Sequence, residues 1–160
     1  MKPRKNYPLS GKQGILLDIG CRDRKEKNFV GIDVKPGKGI DIVWDIYQKF
    51  PYPLKSESVL TIKCAHVLEH VPPWLVVKFM DEMWRMLLRG GQMALSAPFG
   101  VNASWMQDPT HCTVVTDRTF QHFDPKYALF ARHNPCPWGI EHISWKLSEN
   151  IEVILRKQDR

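Results

Sequence analysis

Two short apolar runs constrain this chain more than any other feature: Gly14-Ile15-Leu16-Leu17-Asp18-Ile19-Gly20 and, soon after, Phe29-Val30-Gly31-Ile32-Asp33-Val34. Each has the length of a strand, and each ends in an acid with a glycine close by. A buried strand that runs into a glycine turn brings backbone N–H groups close to a ligand. An acid at the tip of the next strand accepts hydrogen bonds from ribose hydroxyls, the general logic of nucleotide-type sites at the carboxyl edge of a parallel sheet. Asp18, Gly20 and Asp33 are therefore the first candidate site residues.

The other elements follow from pattern. Residues 21–28 are too few for a full crossover, which usually needs about ten or more linking residues, so the first helix is expected to be truncated or missing. Residues 40–44 read as a third strand ending at Asp45. Val59 to Ala65 reads as a buried central strand running into His66-Val67-Leu68-Glu69-His70. Pro72-Pro73 opens the clearest helix, since proline is tolerated in a first turn. Leu75, Phe79, Met83 and Leu87, with Val76, Met80 and Met86, line one face of it. Gly90-Gly91 is expected to stop that helix, and Gln92 to Ala97 to form the next strand. Residues 99–125 exceed an ordinary connector and read as a functional loop with one helix near 116–123. Together with the irregular 133–139 they mark 99–139 as a lid or substrate-loop region. Ile140 to Leu147 and Ile151 to Leu155 alternate as a hairpin around Ser148-Glu149-Asn150. The fold class is thus α/β, a mostly parallel seven-stranded sheet with one antiparallel strand from the C-terminal hairpin.

At 160 residues the expectation is a single domain over 14–160, preceded by a basic arm over 1–13. No apolar run approaches the roughly 18–20 residues that span a bilayer, and the N-terminus lacks the apolar core of a secretory signal. No membrane association and a cytoplasmic location are the expectations. Cys21, Cys64, Cys112 and Cys136 show no C-x-x-C spacing, which argues against a zinc ribbon or a redox motif. The net charge of +6 gathers in Lys2, Arg4, Lys5 and Lys12 and again in Arg22, Arg24, Lys25 and Lys27. It suits plain solubility, or a polyanionic partner such as nucleic acid.

Five elements then fall in a familiar order: Leu17-Asp18-Ile19-Gly20-Cys21, Gly31-Ile32-Asp33, Asp45, His66-Val67-Leu68-Glu69-His70-Val71, and Trp84-Arg85-Met86-Leu87-Leu88-Arg89-Gly90-Gly91. This order resembles the class I S-adenosylmethionine-dependent methyltransferases, most closely the small type-11 group, over roughly residues 14–125. Gln107-Asp108-Pro109-Thr110-His111, followed by Thr119-Phe120, is similar to the segment after strand five in that group. The resemblance implies a Rossmann-like fold and S-adenosyl-L-methionine as cofactor. It implies that Asp18 and the backbone around Gly20 hold the methionine end and that Asp33 accepts from the ribose. It sets Asp45 and Ile46 beside the adenine, and Cys64, Ala65 and His66 under the sulfonium. Three departures stand out. Arg22 occupies the place of the family's second glycine, Leu60 stands where an aspartate is common, and the first crossover is short.

Other residues carry chemistry of their own. His66 and His111 are the candidate bases for a poorly nucleophilic acceptor, because a histidine titrates near neutral pH. His66-Val67-Leu68-Glu69-His70 also spells H-x-x-E-H, a zinc-hydrolase pattern when both histidines share a helix face, although Val71-Pro72-Pro73 breaks such a helix. Trp74, Trp84 and Trp145 are expected in or near the core, and Trp105 and Trp138, in loops, as candidates for stacking on a flat substrate. The leading expectation is methyl transfer to an unidentified acceptor. The alternatives are a non-catalytic scaffold or nucleic-acid-binding protein of the same fold and, more remotely, a zinc hydrolase.

Overall fold

The computed structural model describes residues 14–146 and 149–160. The expected basic arm over 1–13, and Leu147 and Ser148, where the expected strand over 140–147 gives way to the expected turn, lie outside the described residues. Seven strands form one sheet: β1 (Ile15–Ile19), β2 (Val30–Asp33), β3 (Ile42–Val43), β4 (Val59–Ala65), β5 (Leu87–Pro98), β6 (Trp138–Trp145) and β7 (Asn150–Lys157). Their order is β3-β2-β1-β4-β5-β7-β6. Every neighbouring pair from β3 to β5 is parallel, and β7 pairs antiparallel with both β5 and β6. Only β7 runs against the rest, as the alternating C-terminal pattern led one to expect.

The continuous apolar runs are buried where the strand order demands it. Leu17, Ile19, Ile32, Ile62, Cys64 and Met93 are all at most 1% exposed. Burying each aliphatic side chain of this size stabilises the fold by about 1.5–3 kcal/mol. On β7 buried and exposed residues alternate strictly, so one face of the hairpin meets the core and the other meets water.

Residues 21–28 form turns rather than a helix, as eight linking residues dictate. The one long helix is α1 (Val76–Met86), entered through a 3-10 turn at Pro73–Leu75. Its Phe79, Met80, Met83 and Met86 are fully buried. The helix stops earlier than the glycine pair suggested. Leu87 is already extended (φ −66°, ψ 142°) and begins β5, so Gly90-Gly91 lies inside a strand. The cause is pairing: Leu87 sits opposite Val59 with no exposed surface, ahead of a register shift in the β4–β5 ladder. After β5 come two short helices, α2 (Ala103–Met106) and α3 (Asp117–Gln121). The second falls within the expected 116–123 and starts with a Thr116/Thr119 capping box.

Two tryptophans, Trp138 and Trp74, depart from expectation. Trp138 is fully buried and begins β6, its backbone N–H donating to the Phe123 carbonyl; the preceding Pro-Cys-Pro hid the start of that strand. Trp74 is 81% exposed, and Trp145, 45% exposed, lies at the rim of the core, stacked on Phe99 with ring centroids 4.3 Å apart. Among the described residues no helix is long and apolar enough to cross a membrane.

Candidate cofactor site

Parallel pairing sets the tips of β1 and β2 side by side, with Asp18 opposite Gly31 and Ile19 opposite Ile32. Asp18 and Asp33 therefore end neighbouring strands, and both are buried. The loop after β1 folds back over both carboxylates. The Glu26 N–H donates to Asp18 Oδ2 at 2.8 Å, and the Arg22 N–H to Asp33 Oδ2 at 2.9 Å. The Val34 N–H donates to Asp33 Oδ1 at 2.7 Å. Burial pushes the Asp18 carboxyl above its ordinary range, against the pull of the Glu26 N–H and the Lys63 charge.

Backbone shape here follows from two residues. Gly20 turns at φ 69°, and a Cβ on it would lie 2.4 Å from Val67 Cγ2, so glycine is required twice over. Arg22 adopts φ 47°. That left-handed conformation costs a side-chain-bearing residue about 1–2 kcal/mol, which explains why glycine suits this position and what the departure costs.

The next tips add further groups. Asp45 is exposed and accepts from the Tyr47 and Gln48 N–H groups, both at 3.1 Å, so it caps its own turn. Ile46 is fully buried and packs toward the Gly20 position. Tyr47, which no sequence pattern marked, is pushed up to about 12 by burial and then by the Asp33 charge. At the end of β4, Cys64 is fully buried, and burial drives its thiol far above the ordinary value. Ala65 is half-buried beside it. His66 leaves the strand at φ 55°. Its Nε2 lies 3.1 Å from Asn150 Nδ2 and its Nδ1 3.1 Å from Glu69 Oε1. The amide nitrogen donates, so Nδ1–H donates to Glu69. That bond to Glu69 raises the His66 pKa, outweighing partial burial.

The H-x-x-E-H pattern does not form the site it spells. His66 stands in a left-handed bend, and Leu68–His70 is a single 3-10 turn, so the two histidines do not share a helix face. His70 turns instead toward the loop between α2 and α3, its Nδ1 3.0 Å from Thr110 Oγ1 and its ring centroid 4.7 Å from that of His111. Among the described residues, the set whose ligand atoms converge is Glu69, His70 and His111. That loop is pinned there by its backbone. The Cys112 and Thr113 N–H groups donate to the Glu69 carbonyl at 2.9 and 3.0 Å.

The structure thus gathers Asp18, Gly20, Asp33 and Ile46 at one end of the sheet's carboxyl edge. Cys64, Ala65 and His66 follow on the next strand of that edge, and His111 reaches it through His70. Trp105 does not stand free; its Nε1–H donates to the Thr113 carbonyl at 3.0 Å.

No protein-family model matches the sequence, and no curated protein is a significant match. Solved structures do match. A SAM-dependent methyltransferase from Archaeoglobus fulgidus aligns over 91% of this chain and 86% of its own, with TM-score 0.66 and 14% identity. One from Methanosarcina mazei aligns over 97% and 99%, with TM-score 0.62 and 16% identity. The [4+2]-cyclase SpnF aligns over 95% of this chain and 77% of its own, with TM-score 0.61 and 13% identity. Identities this low speak to architecture alone, and the architecture this chain shares with these proteins is the Rossmann-like, mostly parallel seven-stranded sheet seen in methyltransferases.

Proposed function

We propose that this chain binds S-adenosyl-L-methionine across the tips of β1, β2 and β4 and transfers its methyl group to an acceptor, in the manner of the small type-11 enzymes. The observation that carries the reading is the pair of buried carboxylates, Asp18 and Asp33, closing adjacent parallel strands around Gly20. The strand order reverses at β1, the place where open α/β sheets take their ligands.

The residues present fit the group. Each carboxylate accepts backbone N–H bonds, and a carboxylate has about four lone-pair positions, so Asp33 keeps capacity for ribose hydroxyls. Asp18, whose ionised form burial disfavours, gains from a cationic ammonium beside it. Gly20 and its neighbours approach the methionine carboxylate. Asp45 and Ile46 flank the adenine; Ile46 offers its apolar surface, while Asp45 is engaged in its turn. Cys64 and Ala65 would line the sulfonium end, with Cys64 an inert buried thiol. When bound, the cofactor supplies an electrophilic methyl, and the chain's part is to orient the acceptor and shut out water. His66, its basicity raised by Glu69, or His111 takes a proton where the acceptor carries one.

SpnF shares this fold and is described as a cyclase, so binding and transfer need separate proof. Calorimetry with S-adenosylhomocysteine tests the first, and release of S-adenosylhomocysteine from S-adenosylmethionine across pooled small-molecule, protein and nucleic-acid acceptors tests the second. Asp33→Ala is expected to stay folded and to lose binding at least tenfold. Equal affinity in the variant, or no heat at millimolar ligand, would overturn the assignment and leave a non-catalytic scaffold of the same fold.

A further inference from the structure

Glu69 has no exposed surface, and among the described residues its Oε2 has no hydrogen-bond partner. A buried polar atom left unpaired is destabilising, and a charged one more so. His66 does not relieve it, since its Nδ1 serves Oε1.

The two imidazoles that converge with this carboxylate, His70 and His111, are arranged alike. Thr110 Oγ1 donates to Asp108 Oδ1 at 2.6 Å, so it accepts from His70 Nδ1–H at 3.0 Å. His111 Nδ1–H donates to the Trp105 carbonyl at 2.9 Å. In each neutral ring the Nε2 therefore carries a lone pair. The Asp108 carboxylate stays 3.9 Å from His111 Nε2, beyond hydrogen-bond reach. Fixing one ring nitrogen on an oxygen acceptor is how proteins orient imidazoles that ligate metals through the other. One ligand atom from each of Glu69, His70 and His111 lies within 4.8 Å of the other two.

We propose that Glu69, His70 and His111 form a divalent-metal site at the edge of the cofactor cleft. Two imidazole nitrogens and one carboxylate oxygen suit borderline first-row ions such as Zn²⁺, Co²⁺, Mn²⁺ or Fe²⁺ better than Mg²⁺ or Ca²⁺. Donors held about 2.0–2.2 Å from one ion lie at most about 4.4 Å apart, so binding needs only a slight inward movement of the lid. The pair of N–H bonds from Cys112 and Thr113 to the Glu69 carbonyl prepares that movement by holding lid and turn in register. Three protein ligands leave coordination positions for water or for an oxygen of an acceptor. The site adjoins the cleft through Tyr47, whose ring centroid is 5.7 Å from that of His70. It is not the H-x-x-E-H arrangement, because His66 stays outside it, bonded to Asn150.

The test strips the full chain with chelator and titrates it with Co²⁺ alone, following visible d–d absorption and counting bound metal by mass spectrometry. One Co²⁺ per chain at micromolar concentration is expected. Glu69→Gln and His111→Ala should each weaken it at least tenfold, while Cys112→Ser and His142→Ala should leave it unchanged. Circular dichroism reports whether each variant is folded. His70→Ala, at the more exposed ligand, decides the matter should the buried positions fail to fold. Millimolar or substoichiometric uptake, or undiminished uptake by the folded ligand variants, would overturn the site. S-adenosylhomocysteine is titrated separately, so a failed cofactor assignment leaves the metal result standing.

Discussion

The Arg22 backbone N–H reaches the Asp33 carboxylate at 2.9 Å, and it does so from a left-handed turn at φ 47°. The bond belongs to the backbone, and the strain belongs to the side chain's Cβ. Arg22→Gly keeps the first and removes the second. Its stability in urea should stay within about 1 kcal/mol of the parent, because glycine's greater unfolded-state entropy offsets the relief. Arg22→Val should lose about 1–3 kcal/mol, since a β-branched residue is a true outlier there. Equal midpoints for the valine and glycine variants would show that the turn relaxes and that Arg22 carries no strain.

Asp18 provides a prediction in pH. Burial raises its folded pKa above the ordinary 3.8. A raised acid stabilises the fold while protonated, fully so below the unfolded pKa, and that contribution disappears as pH climbs through the folded pKa. At neutral pH the ionised Asp18 is therefore a cost to the free protein. Asp18→Asn keeps an acceptor for the Glu26 N–H and removes the charge. Its melting temperature should exceed the parent's at pH 7, and the difference should shrink as pH falls toward 3.8. The same variant should bind S-adenosylhomocysteine more weakly. A melting difference that is flat with pH would mean that Asp18 titrates as an ordinary exposed acid.

What was legible in the sequence divides by range. Leu17 and Ile32 sit in apolar runs of strand length, and such runs announce buried strands on local evidence alone. Asp18 and Asp33 were legible for a related reason: each interrupts or ends an apolar run beside a glycine, Asp18 next to the last residue of β1 and Asp33 at the last of β2. Tyr47 was not, because its surroundings are assembled from β2 and the turn after β4. Nor was the pairing of His70 with His111, which are 41 positions apart and are brought together by the Cys112 and Thr113 N–H groups bonded to the Glu69 carbonyl. The end of α1 failed differently. A glycine pair after an amphipathic run is good local evidence for a stop, but pairing with Val59 claimed Leu87 first.

That misplaced glycine pair is itself testable. A Cβ on Gly91 would stand 3.0 Å from the backbone oxygens of both Leu60 and Leu88. Backbone cannot yield as a side-chain tip can. Gly91→Ala should therefore destabilise by about 1–3 kcal/mol, the usual range for overpacking. Gly100 supplies the contrast: its φ is +61°, yet nothing lies within 4 Å of its Cβ position. Gly100→Ala should show the conformational penalty alone, about 1–2 kcal/mol. Denaturant midpoints of the two, with an added Leu60 truncation that leaves the backbone oxygens in place, separate the causes. The truncation should not rescue Gly91→Ala; a rescue would mean that the clash is with side chains.

Gly20 combines both penalties at the centre of the proposed cofactor site. At φ 69° an alanine pays the left-handed cost of about 1–2 kcal/mol. Its Cβ would also lie 2.4 Å from Cγ2 of Val67, which is buried at 1% exposure and stiff at χ1. Gly20→Ala should destabilise by about 3–5 kcal/mol in all, at the upper end for a single substitution. Val67→Ala alone should cost about 1–3 kcal/mol through lost burial. In the double variant the contact is gone while the backbone strain remains. The two losses should therefore add to less than their sum, with a coupling of about 1–2 kcal/mol. S-adenosylhomocysteine titration on the double variant then asks a second question. If the backbone at position 20 approaches the methionine carboxylate, affinity stays depressed even where stability is restored. Strict additivity in the stability cycle would show that Val67 moves aside freely and that the Gly20 turn is not held shut from that side.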